Sequence, residues 1–443
     1  MRIKNFLMTL LVFLLYISIV SASNSYVESE DIVRVREKNV HIEDLANLGS
    51  NILEIKDNIC YVKKPIHVGS KASLIVDNKK CDTVKLYPTT YIRIAGEIYF
   101  KDIKVTSYDP YTDRSISITP EFYYNERPYI YTKAPAKYFS AINTEFSYLG
   151  YYREDLKGSR WGIALYDLPE GRIYNSKFHH NYFGLYTFNT KNLIVAESEI
   201  HDNLEYGLDF HDYSDNYLIY KNKIYNNGNH GIIFSKWCKN NQIIKNEIYD
   251  NNAIVYVKGD YRDYGTHGIM MHYYSENNLI EGNYLRGNRI AIYLMDSDNN
   301  IVKDNVIESD LEEGIYVSRS DNNLFENNRV NQSNGYSLYS RLSENNKYEN
   351  NYFANGVYIK EENSQATENE VIVEEIVNEE IIDDEAIEEI KEENVVLPES
   401  NIREEKNKLL EIKILYISIL LITAIFGIGI EYFYTTKFKA RRK

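Results

Sequence analysis

From residue 171 to residue 356, short apolar–polar alternations stop at Asn or Gly and restart on a fixed beat. Ser214-Asp-Asn-Tyr-Leu-Ile-Tyr-Lys-Asn-Lys-Ile-Tyr-Asn-Asn227 and Cys238-Lys-Asn-Asn-Gln-Ile-Ile-Lys-Asn-Glu-Ile-Tyr-Asp-Asn251 show the pattern, and segments starting at Ser275, Ser297, Ser320 and Ser343 repeat it. The turn markers Gly171, Asn192, Asn216, Asn241, Asn278, Asn300, Asn323 and Asn346 are separated by 21, 24, 25, 37, 22, 23 and 23 residues. A second series keeps the same beat at Gly162, Gly184, Gly207, Gly231, Gly268, Ala291 and Gly314, and one insertion near 253–266 accounts for the long interval in both. A period near 22 is too short for a helix pair and is rich in Ile, Val and Tyr. It predicts an all-β solenoid, a right-handed parallel β-helix with three short strands per coil. Asn suits the turns because it tolerates left-handed backbone and stacks in ladders.

Aligning the coils on the Gly series predicts which side chains face inward. The residue after each Gly, and the one two further on, are almost all Leu, Ile, Phe, Met or Val; strand alternation turns the intervening positions outward. Most outward positions are aromatic or aliphatic, but one coil differs. Tyr206-Gly-Leu-Asp-Phe-His-Asp212 sets Asp209 and His211 on the outer face and Asp212 at the strand end. One coil later Lys236 stacks over Asp212, and Ser235 and His272 continue the His211 column. Tyr206, His230 and His267 form a neighbouring column. Five of the nine histidines fall within 201–272. A bland reading competes, since a stacked Asp–Lys pair on a surface is often only a weak ion pair. His230, His267 and His272 could converge on zinc, though no ligand spacing fixes a metal site.

The termini carry different signals. Arg2 and Lys4, the apolar run Phe6–Val20 and Ser21-Ala-Ser23 read as a signal peptide over 1–23. Residues 24–160 read as an N-terminal cap with irregular coils, where Cys60 and Cys81 could form a disulfide outside the cell, leaving Cys238 unpaired. Residues 161–360 are the regular β-helix. Within 361–411, an acidic disordered stalk, residues 361–400 hold 16 acidic side chains and the single base Lys391. Residues 412–434 read as a transmembrane helix and 435–443 as a basic cytoplasmic tail, which leaves the β-helix outside the cell. The formal charge of −15 argues against a nucleic-acid partner, and the stalk alone accounts for that much negative charge. The body is thus mildly acidic, and a local cation can meet an anionic glycan. The 42 tyrosines could line a surface that stacks on sugars or simply fill strand positions, where Tyr is favoured.

The Tyr206–Asp212 segment resembles the Tyr-Gly-Φ-Asp-Pro-His-Asp/Glu motif of mannuronan (alginate) C5-epimerases. His230-Gly-Ile-Ile-Phe-Ser-Lys236 resembles the next coil of the periplasmic type, and the likeness spans about 100–350. Phe210 stands where the family has proline and Lys236 where it has arginine; lysine neutralises a carboxylate without the bidentate fork, so the polymer could differ from alginate. The resemblance implies a polyuronate C5-epimerase acting on an anionic polysaccharide. His211 and Tyr206 would exchange the C5 proton, Asp209 and Asp212 would tune His211, and Lys236 would neutralise the substrate carboxylate, helped by Lys258 or Arg262. His230, His267 and His272 would line the binding surface. No cofactor is expected; acidic coil edges leave calcium open, although no Gly-Gly-x-Gly-x-Asp repeat is present, and a monomer is expected. A lyase, a pectinase-type hydrolase using Asp209 and Asp212, and a non-catalytic polysaccharide-binding adhesin are the alternatives.

Overall fold

A computed structural model describes residues 26–29, 31–117, 126–152, 160–251, 256–257, 260–261, 266–308, 310–331, 333–360 and 367–369. The expected signal peptide, transmembrane helix and basic tail lie outside the described residues, as does the acidic stalk apart from Thr367–Asn369. Among the described residues no helix is long and apolar enough to cross a membrane.

Alternating side chains give each coil one strand in each of three sheets, which among the described residues contain 15, 12 and 13 strands. The sheets are parallel, as a solenoid requires. Leu208–His211, for example, pairs with Leu185–Phe188 on one side and Ile232–Phe234 on the other. The parallel register already holds in the early coils, where Tyr91–Ile94 pairs with Ile66–Val68 and Tyr129–Thr132. Antiparallel strands close the stack. Tyr26–Ser29 pairs with Ile32–Val35, Leu53–Lys56 with Ile59–Val62, and Thr367–Asn369 with Val357–Lys360. The insertion contributes a small antiparallel pair, Tyr256–Val257 with Asp260–Tyr261.

The inward positions behave as their spacing predicts: Leu208, Phe210, Ile232, Phe234, Ile269 and Met271 are fully buried in one continuous apolar core. Cys60 and Cys81 form a disulfide with Cα atoms 5.7 Å apart, and Cys238 is a buried free thiol. The glycine column is steric in origin. A Cβ on Gly207 would meet the Gly231 carbonyl oxygen at 2.6 Å and Asn227 Nδ2 at 2.8 Å, so the chain crosses this corner without a side chain.

The asparagine markers need one correction. The register pairs Gly171 with Leu193 and Leu218 with Gln242, so Asn192 and Asn216 sit one position ahead of the column holding Gly171 and Asn241. Two adjacent positions perform different tasks. Asn192, Asn216, Asn240 and Asn277 are left-handed (φ 52, 62, 58 and 58°), whereas Asn241, Asn278 and Asn300 project inward as a ladder. At this corner the coils of Asn192 and Asn216 carry only the left-handed Asn, with Leu193 and Tyr217 in the inward position, which explains the false alignment.

The ladders bond backbone groups at the coil corners and in the strands beside them. Asn246 Oδ1 accepts from the backbone N–H of Asn222 at 2.9 Å and from its Nδ2 at 3.0 Å. Asn246 Nδ2 donates to the Ile219 carbonyl and to Asn283 Oδ1, both at 2.9 Å. Asn246→Ala strands a buried donor and a buried acceptor, each worth about 1–3 kcal/mol. We expect a loss of roughly 2–5 kcal/mol, read as a lower urea midpoint; an unchanged midpoint contradicts the ladder's structural role.

Candidate functional site

On the outer face of the first sheet, strand register assembles a single column running through Arg34, His67, Arg93, Tyr131, Ala164, Tyr186, Asp209, Ile233, Met270, Tyr293, Tyr316, Tyr339 and Tyr358. Successive members lie about 4.8 Å apart. Asp209 is the only carboxylate in it. A second apolar cluster, built from Ala164, Tyr182, Phe183 and Tyr186 with Trp161, Tyr166, Phe188 and Tyr206 packed on it, includes two members of this column and adjoins Asp209 through Tyr186.

Burial changes the character of Asp209. Its place on the outer side of the strand is as expected, but the residue is only 4% exposed. Burial lifts its carboxyl to about 6, opposed by nearby His211 and by the Ser235 hydroxyl, which donates to Oδ1 at 3.4 Å. His211 remains accessible, its side chain 40% exposed. His211 Nδ1 lies 2.6 Å from Asp212 Oδ1, yet the N–H direction misses the oxygen and both atoms are buried without a formed hydrogen bond. The contact is therefore a close electrostatic one, and it leaves Nε2 on the open side of the ring. Tyr186 and Phe188 flank the imidazole at centroid distances of 5.9 and 6.4 Å.

The rim beside this coil is extended. In most coils the left-handed turn comes four positions after the first core position of the strand, as from Leu185 to Asn189 and Ile292 to Asp296. Three consecutive coils carry one residue more: Leu208 to Tyr213, Ile232 to Trp237 and Ile269 to Tyr274, where Tyr273 is left-handed as well. The extra residues are Asp212, Lys236 and Tyr273, so the insertion of one residue per coil sets an acid, a base and a phenol side by side. Lys236 and Asp212 are neighbours across this rim, but Lys236 Nζ sits 4.1 Å from the Trp237 ring centroid rather than on Asp212. Tyr213 and Trp237 stack at 5.1 Å, Trp237 and Tyr274 at 6.4 Å. Tyr213, Tyr273 and Tyr274 are exposed, forming an aromatic edge.

The histidine column is real, but two of its members are sealed. His230 and His267 stack at 4.9 Å, each 5% exposed, with Tyr206 5.4 Å from His230. The His267 backbone N–H donates to His230 Nδ1 at 3.0 Å. Burial holds His230 down to about 3 and His267 well below the ordinary range, so both are neutral. His272 continues the His211 column beyond Ser235 and is half-buried, which lowers its basicity. Among the described residues these three histidines do not form a three-ligand metal cluster. Lys258 and Arg262 lie outside the described residues.

Sequence reading overlooked the aromatic cluster and the rim. Tyr186 was visible as an outward position, but Trp161, Tyr182 and Phe183 precede their strands, where alternation assigns no face. The extended rim was legible as one extra residue between Leu208 and Ser214 compared with Leu185 and Thr190.

Residues 143–264 match the family model of the right-handed beta helix region, and residues 255–387 that of the periplasmic copper-binding protein NosD. The mannuronan C5-epimerase of Pseudomonas putida is 27% identical over 179 residues, 36% of this chain and 32% of that protein. That of Pseudomonas fluorescens is 25% identical over 176 residues, with the same shares. The chain thus spans about a third of the length of these curated relatives. The crystal structure of the periplasmic alginate epimerase AlgG superposes with a TM-score of 0.59 at 19% identity, covering 72% of this chain and 85% of that one. A double mutant of it gives 0.61 at 20% identity, covering 74% and 78%. The chain is a right-handed parallel β-helix resembling the mannuronan epimerases.

Proposed function

We propose that this chain is an exported C5-epimerase of a polyuronate, acting on the outer face of its first sheet. The observation that carries the reading is the coil Tyr206–Asp212. It places an accessible His211 between a buried carboxyl, Asp209, and a rim carboxylate, Asp212, with Lys236 on the next coil. Its similarity to mannuronan C5-epimerases is in keeping with that chemistry.

Removing the proton at C5 of a uronate builds charge next to an existing carboxylate. Lys236 neutralises that carboxylate, leaving the Trp237 face to do so. His211 Nε2 and the Tyr206 hydroxyl are the groups assigned to take and return the proton. Asp212 orients His211 through Nδ1, and the buried Asp209 sets the local field. The aromatic edge Tyr213–Trp237–Tyr274 flanks the polymer. A hydrolase needs two carboxyl groups facing the scissile bond, and the burial of Asp209 disfavours that alternative. The Cys60–Cys81 disulfide supports an oxidising compartment, and anchoring by residues 412–434 is part of the same proposal.

Incubating the full chain with polymannuronate, polygalacturonate and polyglucuronate in deuterated water tests the reading. Deuterium at C5 with inverted residues supports it. An ultraviolet-absorbing unsaturated product would point to a lyase, new reducing ends without unsaturation to a hydrolase, and binding without either exchange or cleavage to an adhesin. Lys236→Met is expected to lower kcat/KM by about 10–100-fold, the loss of one charge-assisted contact of about 1.5–3 kcal/mol. Lys236→Arg should restore most of it, and equal activity in all three proteins removes Lys236 from the site.

A further inference from the structure

We infer that the N-terminal coils hold a divalent transition-metal ion of the zinc type at His41, Glu43 and Asp77. His41 ends the strand Val40–His41, Glu43 lies in the first turn of the 3-10 helix Ile42–Leu48, and Asp77 ends the strand Ser73–Asp77. The two strands are parallel neighbours, with His41 opposite Ile75, so the fold brings the three side chains together from residues 36 apart in sequence. His41 Nδ1 is 3.4 Å from Asp77 Oδ1 and 4.0 Å from Glu43 Oε1. One donor atom from each residue lies within 4.8 Å of the others.

Three observations point to a cation rather than to a packing contact. Glu43 is 3% exposed, and its Oε2 is buried without a hydrogen-bond partner. A buried carboxylate with an unused oxygen is costly unless a positive charge meets it. Second, the separations suit a small ion. Ligands held about 2.0–2.2 Å from a tetrahedral centre are spaced by roughly 3.3–3.6 Å, close to the 3.4 Å found and within a small side-chain adjustment of 4.0 Å. Third, the charges balance: neutral imidazole, two carboxylates and a divalent ion sum to zero, whereas a histidinium alone would leave one negative charge buried. The mixed nitrogen–oxygen set with only three protein ligands fits zinc, with water as the fourth ligand; calcium would need six to eight oxygens. The site bridges the first two coils at the second sheet, and Asp77 lies in the coil of Ile66–Val68, five coils ahead of the one holding His211. Its role is to staple the 3-10 helix to the second coil, apart from catalysis.

The test uses the full chain, stripped with a chelator and titrated with Zn²⁺ while bound metal is counted by elemental analysis. The wild type should bind one more equivalent than His41→Ala and Glu43→Gln, which keep only whatever weak sites the acidic residues 361–400 provide. Zn²⁺ should raise the wild-type melting temperature and leave both variants unmoved, and excess Ca²⁺ should not displace it. X-ray absorption of the wild-type zinc form should show imidazole and oxygen ligands. Equal stoichiometry in wild type and variants overturns the inference. If the variants fail to fold, a wild-type zinc shell lacking imidazole overturns it equally.

Discussion

His211→Gln should abolish C5 deuterium exchange, with kcat falling by about 10²–10⁴-fold, the range for loss of a positioned proton-transfer group. The substitution leaves the fold intact for reasons visible in its surroundings. The ring is 40% exposed and makes no formed hydrogen bond; its neighbours Tyr186 and Phe188 rest on their own aromatic cluster. The melting temperature should therefore move little, as for other surface substitutions of about 0.5 kcal/mol or less. Glutamine keeps most of the volume and can meet Asp212, but it cannot shuttle a proton at neutral pH. KM should change far less than kcat. Full exchange in the variant would remove His211 from the chemistry, and Tyr206→Phe would then be the decisive measurement.

Asp209→Asn should make the protein more stable and less active at once. Burial raises the Asp209 carboxyl from 3.8 to about 6, so its ionised form burdens the folded state. Between about pH 4 and pH 6 the folded chain holds a proton that the unfolded chain has released. Stability consequently falls as pH rises through this window, and the cost is complete above about 6. A displacement of about two pH units corresponds to roughly 3 kcal/mol. The asparagine variant lacks this burden: its melting temperature should exceed the wild type's at pH 7.5, and the gap should close as pH approaches 4. Its kcat should fall with KM nearly unchanged, because Asp209 acts through His211 and Ser235 and is buried next to the aromatic cluster. The pH dependence of kcat should shift as well, which a merely structural role would not produce. A destabilised variant at pH 7.5 refutes the assignment of a burdened carboxylate.

Much of this molecule is legible in its sequence, and what is hidden around the site has one physical cause. Core positions such as Leu208, Phe210 and Phe234 follow from a period-2 alternation repeated coil after coil, a signal that each copy reinforces. The grouping of Asp209, His211, Asp212 and Lys236 follows from stacking those copies. Alternation says only which side of the strand a residue faces, not what lies above it. Asp209 therefore looked like a surface group, whereas it is buried next to Tyr186, a member of the outer aromatic cluster. The same limit hid Trp237, because the extra residue at Asp212 and Lys236 shifts the turn without altering the core pattern. The misplacement of Asn192 and Asn216 arose differently: two neighbouring backbone demands, a left-handed turn and an inward amide, select the same residue type. Lys258 and Arg262 fall within the insertion and outside the described residues, so their part rests on the resemblance.

The antiparallel strands at the ends of the stack decide how long the molecule is. Each internal coil offers the next one a parallel edge of backbone hydrogen-bond groups, and the later coils add asparagine ladders in register. Such an edge is a template without a natural stopping point. By reversing direction, Tyr26–Ser29 at one end of the first sheet and Thr367–Asn369 at its other end present strands whose polarity no longer matches a further coil there. They work as terminators of a one-dimensional lattice, and a chain deprived of both should add copies end to end as filaments.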